Sequence, residues 1–196
     1  MKFLNMKKIL KIIGIYLFLI VASQSCSPEH YLISSIEFNG ATVSERKNER
    51  ELNNFKQTNV LKNDIVFIVS YHTDYIASLD LGLSGKCYAF TKGSVIDNYL
   101  LENTYSIKFD HPFIYKNVTI NANQNLLEID EIKNQIAIYE TNNGYYNGLG
   151  ADKVFEFSQS FKSESVFTTD DYEVTFNCST SDNRNFEKKI IVKIEN

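Results

Sequence analysis

Tryptophan is absent from this 196-residue chain, and cysteine and histidine occur only three times each. Without tryptophan there is no material for the ring platform on which glycan-binding surfaces most often rely. Three cysteines with no CxxC spacing and no histidine-rich neighbourhood exclude a zinc knuckle or a dithiol redox centre. Nucleotide and hydrolase fingerprints are missing too. "GLSGK" (82–86) lacks the second glycine of a nucleophile elbow, and there is no P-loop, Rossmann turn or HExxH. There is no basic patch: in "SERKNERELNNFKQTN" (44–59) the cations are offset by Glu45, Glu49 and Glu51. With the acidic charge balance, this argues against nucleic acid and against electrostatic adhesion to anionic lipid. No internal repeat is present.

A long hydrophobic run is also lacking. The apolar stretch from Ile12 to Ala22, broken only by Gly14, is 11 residues and reaches about 17 Å as a helix, well short of a hydrocarbon core of roughly 30 Å. Lys2, Lys7, Lys8 and Lys11 precede it with no acid among them, giving the positive n-region and short h-region of a secretory signal. Met6 supplies a second candidate start, since "MKKILKIIG" is a complete n-region by itself. Small residues then lead through Ser23-Gln24-Ser25 into Cys26, an arrangement that resembles the lipobox of bacterial lipoproteins, with Ser23 where leucine is usual. The expectation is a signal peptide over 1–25, acylation (palmitate) of Cys26 as the new N-terminus, and a lipidated tether over 26–32. An ordinary cleaved signal with Cys26 merely nearby is the alternative.

Loss of residues 1–25 removes four lysines and no acid from a net charge of −4, leaving −8 on 171 residues. That length supports one domain with a real core, expected over 33–196. An exported chain meets an oxidising compartment, so Cys87 and Cys178 are candidates for a disulfide. Closing a loop of about 90 residues would contribute roughly 4–5 kcal/mol in the chain-entropy model. Two buried free thiols are the alternative.

The patterning is mostly that of strands. "ISSIEFNGATV" (33–43) alternates around Ile36 and Phe38, with Asn39-Gly40 as a turn or bulge. Residues 44–59 read as a solvated loop or frayed helix. "DIVFIVSYHTDYIASLDL" (64–81) carries the continuous run Val66–Val69, suited to a central strand covered on both faces. "KCYAFT" (86–91) reads as its hairpin return. "NTYSIKF" (103–109) alternates on Tyr105, Ile107 and Phe109; Asp110-His111-Pro112 interrupts, and "FIYKNVTIN" (113–121) resumes. Then the period changes: Ile129, Ile132, Ile136 and Tyr139 predict a short helix over about 125–135, opened by an Asn125/Glu128 capping pair, with "QIAIYE" returning to strand. "KVFEFSQSF" (153–161), "YEVTFNCST" (172–180) and "FEKKIIVKIE" (186–195) are further strands. The last two form a hairpin through Ser181–Arg184, with Lys188, Lys189 and Lys193 guarding an edge. About eight strands and one short helix predict a mainly β fold, an antiparallel, immunoglobulin-like β-sandwich; an up-and-down β-barrel is the alternative.

The lipoprotein start, the strand-rich domain and the stretch "CYAF…TYSIKFDHPFIYKNVTINANQNLLEI" (87–129) together resemble small lipoproteins of Bacteroidota of uncharacterised function. The resemblance implies an outer-membrane address, with the periplasmic or surface face open, and supplies no catalytic residues.

Few residues carry chemistry. His72 and Asp74 stand two apart on a strand and so share a face, where a carboxylate orients an imidazole for acid–base work; the plainer reading is a wet strand face. His111 reads as a turn residue. "TTDDYE" (168–173) and "EIDE" (128–131) are oxygen-rich, but neither has calcium-loop spacing. Asn117-Val118-Thr119 and Asn177-Cys178-Ser179 satisfy the glycosylation pattern by coincidence. The loop "NNGYYNGLG" (142–150) presents Tyr145 and Tyr146 among asparagines and glycines: a ligand-contact loop, or a plug for the end of the sandwich. The expectation is therefore a non-enzymatic, lipid-anchored envelope protein with no metal or cofactor. A binding or interaction module for a glycan or envelope protein is the first reading, and a structural lipoprotein of an envelope complex the second. A hydrolytic enzyme is the least favoured.

Overall fold

A computed structural model describes residues 6–24, 29–46, 49–55, 60–61, 66–76, 94–141, 152–169 and 171–195. The fold is mainly β, a sandwich- or barrel-like arrangement of curled sheets. The chain divides into two compact units, 1–32 with 74–97, and 33–73 with 98–196.

The first unit contains helix α1 (Met6–Gln24), whose apolar side chains Leu10, Ile12, Ile15, Leu17 and Phe18 are all exposed. Among the described residues no helix is long and apolar enough to cross a membrane. The unit also holds the start of β1 (Glu29–Arg46), which pairs in parallel with β5 (Ser94–Ile96) over 29–31. Part of the expected tether is therefore strand. His30 Nδ1 lies 2.8 Å from Asp97 Oδ1, and the rings of Tyr31 and Tyr75 meet edge-on at 5.7 Å.

The second unit contains three sheets. The largest runs in the order β2 (Glu49–Phe55), β1, β4 (Val66–Ile76), β10 (Asp152–Phe157), β9 (Ile136–Thr141). A four-stranded sheet runs β3 (Val60–Leu61), β13 (Asn185–Glu195), β12 (Asp171–Thr180), β6 (Leu100–Phe109). A small sheet joins β11 (Ser165–Phe167), β7 (Phe113–Tyr115) and β8 (Val118–Ile120). The pairs β1–β2, β4–β10, β10–β9, β6–β12, β12–β13, β11–β7 and β7–β8 are antiparallel, and β13 pairs with β3 in parallel.

Period-two alternation sends Tyr105, Ile107 and Phe109 of β6, and Tyr172, Val174, Phe176 and Cys178 of β12, into the core. There they meet the inner face of the large sheet. Phe176 stacks on Phe38 at 5.3 Å and packs on Phe155 at 5.4 Å, while Tyr105 meets Phe155 edge-on at 5.6 Å. Such ring pairs contribute about 0.5–1.5 kcal/mol each beyond their buried area. Val66 to Val69 are fully buried, as a central strand requires. Phe67 faces the aromatic core, whereas Val66 and Ile68 form a second cluster with Val154 and Tyr139. The predicted hairpin of β12 and β13 forms, with Asn183 left-handed at φ 64° in its turn.

Several local expectations are corrected. Residues 44–59 are neither loop nor helix where described: β1 runs to Arg46 and β2 returns along it, Val43 opposite Leu52. Ladder hydrogen bonding decides there, and local polarity does not. Asn39-Gly40 lies inside β1 because the alternation of Ile36 and Phe38 continues through a buried Gly40. Residues 113–121 fold as two strands around a tight turn, with Lys116 at φ 47° and Asn117 at φ 64°, the backbone a two-residue hairpin needs. The strand from 153 stops at Phe157, where Ser158 caps α3 (Gln159–Glu164) by accepting from Phe161 N at 3.1 Å. The predicted helix near 125–135 is a 3₁₀ turn (Leu126–Glu128) followed by α2 (Asp130–Lys133), and β9 follows as expected. "KCYAFT" lies outside the described residues.

Candidate functional site

β6 is the outer strand of its sheet, and an edge strand offers unpaired backbone groups. Here the asparagine-rich stretch 121–125 covers them. The Asn125 side chain imitates a neighbouring strand: its Oδ1 accepts from Ile107 N at 3.1 Å, and its Nδ2 donates to Tyr105 O at 3.4 Å. The same Oδ1 accepts from Leu127 N at 3.2 Å to open the 3₁₀ turn, and Nδ2 also donates to Glu128 Oε1 at 2.9 Å. The Asn125/Glu128 pair predicted as a cap is present, closed side chain to side chain. Asn123 N donates to Phe109 O at 2.7 Å, and Asn123 itself is left-handed at φ 62°, a conformation asparagine tolerates better than most residues.

Between the strand and this stretch lies an open hollow of about 390 Å³. Every side chain that lines it carries a polar group. Three of its side chains are committed to the fold: Asn125 and Glu128 as above, and Thr104, which donates to Leu101 O at 2.6 Å and accepts from Ser179 N at 2.8 Å where the β12–β6 register shifts. Tyr105 belongs to the hollow by position, but its ring packs on Phe155 and Phe176 in the core. The others have nothing to hold. Among the described residues the amides of Asn103 and Asn123 and the ammonium of Lys108 make no hydrogen bond or ion pair, and Ser106 Oγ is buried with no partner. Glu128 completes the wall. The site can donate and accept hydrogen bonds, and its one lysine and one glutamate balance in charge. It has no nucleophile–base pair.

The residues singled out from the sequence fall elsewhere. His72 Nε2 lies 3.2 Å from Glu37 Oε1, between neighbouring strands β4 and β1. His111 sits at a bend, 2.9 Å from Asp110 Oδ1, an oxygen that also accepts from Glu173 N. The stretch 128–131 serves the helix start. Asp130 pairs with Lys133, whose hydrogen bond and charge hold the carboxyl below its usual range. Among the described residues no three His, Cys, Asp or Glu side chains gather as a metal site would need. Asn117 and Asn177 are a turn residue and a β12 residue. Cys178 is a free, buried thiol, pushed up to about 12 by burial. Cys26, Cys87, Tyr145 and Tyr146 lie outside the described residues.

The hollow escaped sequence reading because its groups come from segments some 20 residues apart and match no motif. The local hint was the run of asparagines at 121–125, of which only Asn125 was read, as a helix cap. No protein-family model, curated protein or solved structure matches this chain.

Proposed function

We propose that this chain is a lipid-anchored cell-envelope protein whose β-rich part is a non-catalytic binding module, with the hollow beside β6 as its binding site. The lysine-rich start, short apolar run and Cys26 support the anchoring. The observation that carries the binding role is the set of uncommitted polar side chains, Asn103, Ser106, Lys108 and Asn123, held on or beside a strand edge whose Tyr105, Ile107 and Phe109 backbone groups are already bonded. A rigid frame presenting idle donors and acceptors suits recognition.

A thermal-shift screen of the full-length protein against small polar metabolites tests this. A ligand at 100 times its Kd stabilises by about 2.7 kcal/mol, a rise of roughly 5 °C or more for a chain of this size. At least one compound class is expected to raise the Tm, and the Asn103→Ala chain to lose that rise while melting normally without ligand. A screen with no such response would leave the assembly role as the better reading.

A further inference from the structure

We infer that the hollow beside β6 takes a neutral, hydroxyl-rich ligand of the size of a sugar ring. The inference rests on the binding role proposed above and adds the class of ligand. Its volume of about 390 Å³ sits at the small end of the roughly 300–1,000 Å³ typical of ligand sites.

The chemistry of the wall then selects. An asparagine amide offers donors and an acceptor side by side, and a serine hydroxyl offers both from one atom. Asn103, Asn123 and Ser106 therefore match groups that also donate and accept, as vicinal hydroxyls do. An anion would meet the Glu128 carboxylate, and a cation the Lys108 ammonium; a neutral ligand is opposed by neither. Ser106 Oγ is buried without a hydrogen bond, an unfavourable state that a ligand hydroxyl would relieve once the side chain rotates towards the hollow. The wall is also preformed, since Asn125 ties the 3₁₀ turn to β6 and the Asn123 backbone bonds to Phe109 O. No ring is open for stacking, because Tyr105 is turned into the core and tryptophan is absent. Recognition would rest on hydrogen bonds alone, so affinity should be weak.

Amide chemical-shift mapping on the full-length protein in detergent micelles tests this, with glucose, galactose and N-acetylglucosamine as neutral probes and glutamate and inorganic phosphate as charged ones. Saturable shifts at residues 103–108 and 121–128 are expected with at least one sugar. Its Kd should rise about tenfold in Asn103→Ala and in Asn123→Gly, which keeps the left-handed backbone while deleting the amide. Unchanged thermal midpoints would show that both variants fold. Saturation of these amides by glutamate or phosphate and by no sugar would overturn the ligand class while leaving the binding role standing. Sugar shifts confined to other residues would overturn the site. Silence with all five probes would overturn both.

Discussion

Lys153 Nζ on β10 lies 2.7 Å from Glu102 Oε1 on β6, joining a strand of the large sheet to the edge strand of the four-stranded one. The same ammonium lies 2.8 Å from Glu140 Oε1 on β9, and the lysine side chain is only 15 % exposed. Burial works against its charge, but the hydrogen bonds it donates to Glu102 and Glu140 outweigh that and raise the ammonium above its ordinary range.

Removing the cation should therefore hurt more than removing either anion. In Lys153→Met the two carboxylates lose their shared partner and repel. They are largely exposed, so the cost should be about 1–2 kcal/mol, below the 3–5 typical of a wholly buried pair. Glu102→Gln should cost under about 1 kcal/mol, because the other bond remains. Urea midpoints of the two variants check the order, and equal losses would show that the sheets are not joined this way.

Alkaline pH should loosen the core earlier than this lysine titrates. Burial lifts the Cys178 thiol from 9.0 to about 12 and the Tyr105 phenol from 10.0 to about 12. Both folded values lie above the unfolded ones, so this stabilisation is complete below about pH 9 and is lost as pH rises towards 12. In reducing buffer, stability should start to fall near pH 9. In Cys178→Ala the fall should begin about one pH unit later, where the tyrosine titrates. An unchanged alkaline profile in that variant would contradict the assignment.

Where a strand buries one face, its sequence announces it. Tyr105, Ile107 and Phe109, or Tyr172 through Cys178, alternate because every second side chain meets the aromatic core. β2 gives no such sign, since its place is set by pairing with β1, information that lies in the partner strand. At 158–164 the local signal was ambiguous. Phe157 and Phe161 are both fully buried, and their spacing suits a helix turn as well as a strand, so the Ser158 cap settles the matter. The candidate site was less legible still, because nothing near Asn103 or Ser106 says that Asn123 will be folded against them.

Asn98 should be among the least replaceable polar residues. It is 2 % exposed, accepts from Ile33 N at 2.8 Å and donates to Asp182 Oδ1 at 3.2 Å. Asn98→Ala leaves a strand N–H without its partner, at a cost of about 1–3 kcal/mol. Asn98→Asp keeps the acceptor but faces one carboxylate with another. The Asp182 carboxyl is held low by hydrogen bonds from Thr180, then Asn98, and by Arg184, so it stays charged until the pH is well into the acid range. The aspartate variant should be weaker than the alanine one at pH 7 and recover relative to it as the pH falls and the new carboxyl, raised by burial and by Asp182 beside it, takes up a proton. Parallel denaturation curves at neutral and acid pH check this; a pH-independent gap between the two variants would refute it.

The proposed address depends on the anchor. If Cys26 is acylated after removal of 1–25, the mature chain holds to the membrane by lipid, with no need for a spanning segment. Acyl chains are worth about 0.8 kcal/mol per buried methylene, and two or more give stable anchoring. Cys26→Ala should then leave an uncleaved precursor or release the β-rich part into the soluble fraction. Two readouts separate these results: the mass of the product reports cleavage, and fractionation reports anchoring. The same substitution leaves 33–196 untouched, so the melting temperature of any released product should equal that of the mature chain. Normal maturation and unchanged membrane fractionation in Cys26→Ala would show that the apolar helix α1 or another feature, and not the cysteine, holds the protein in place.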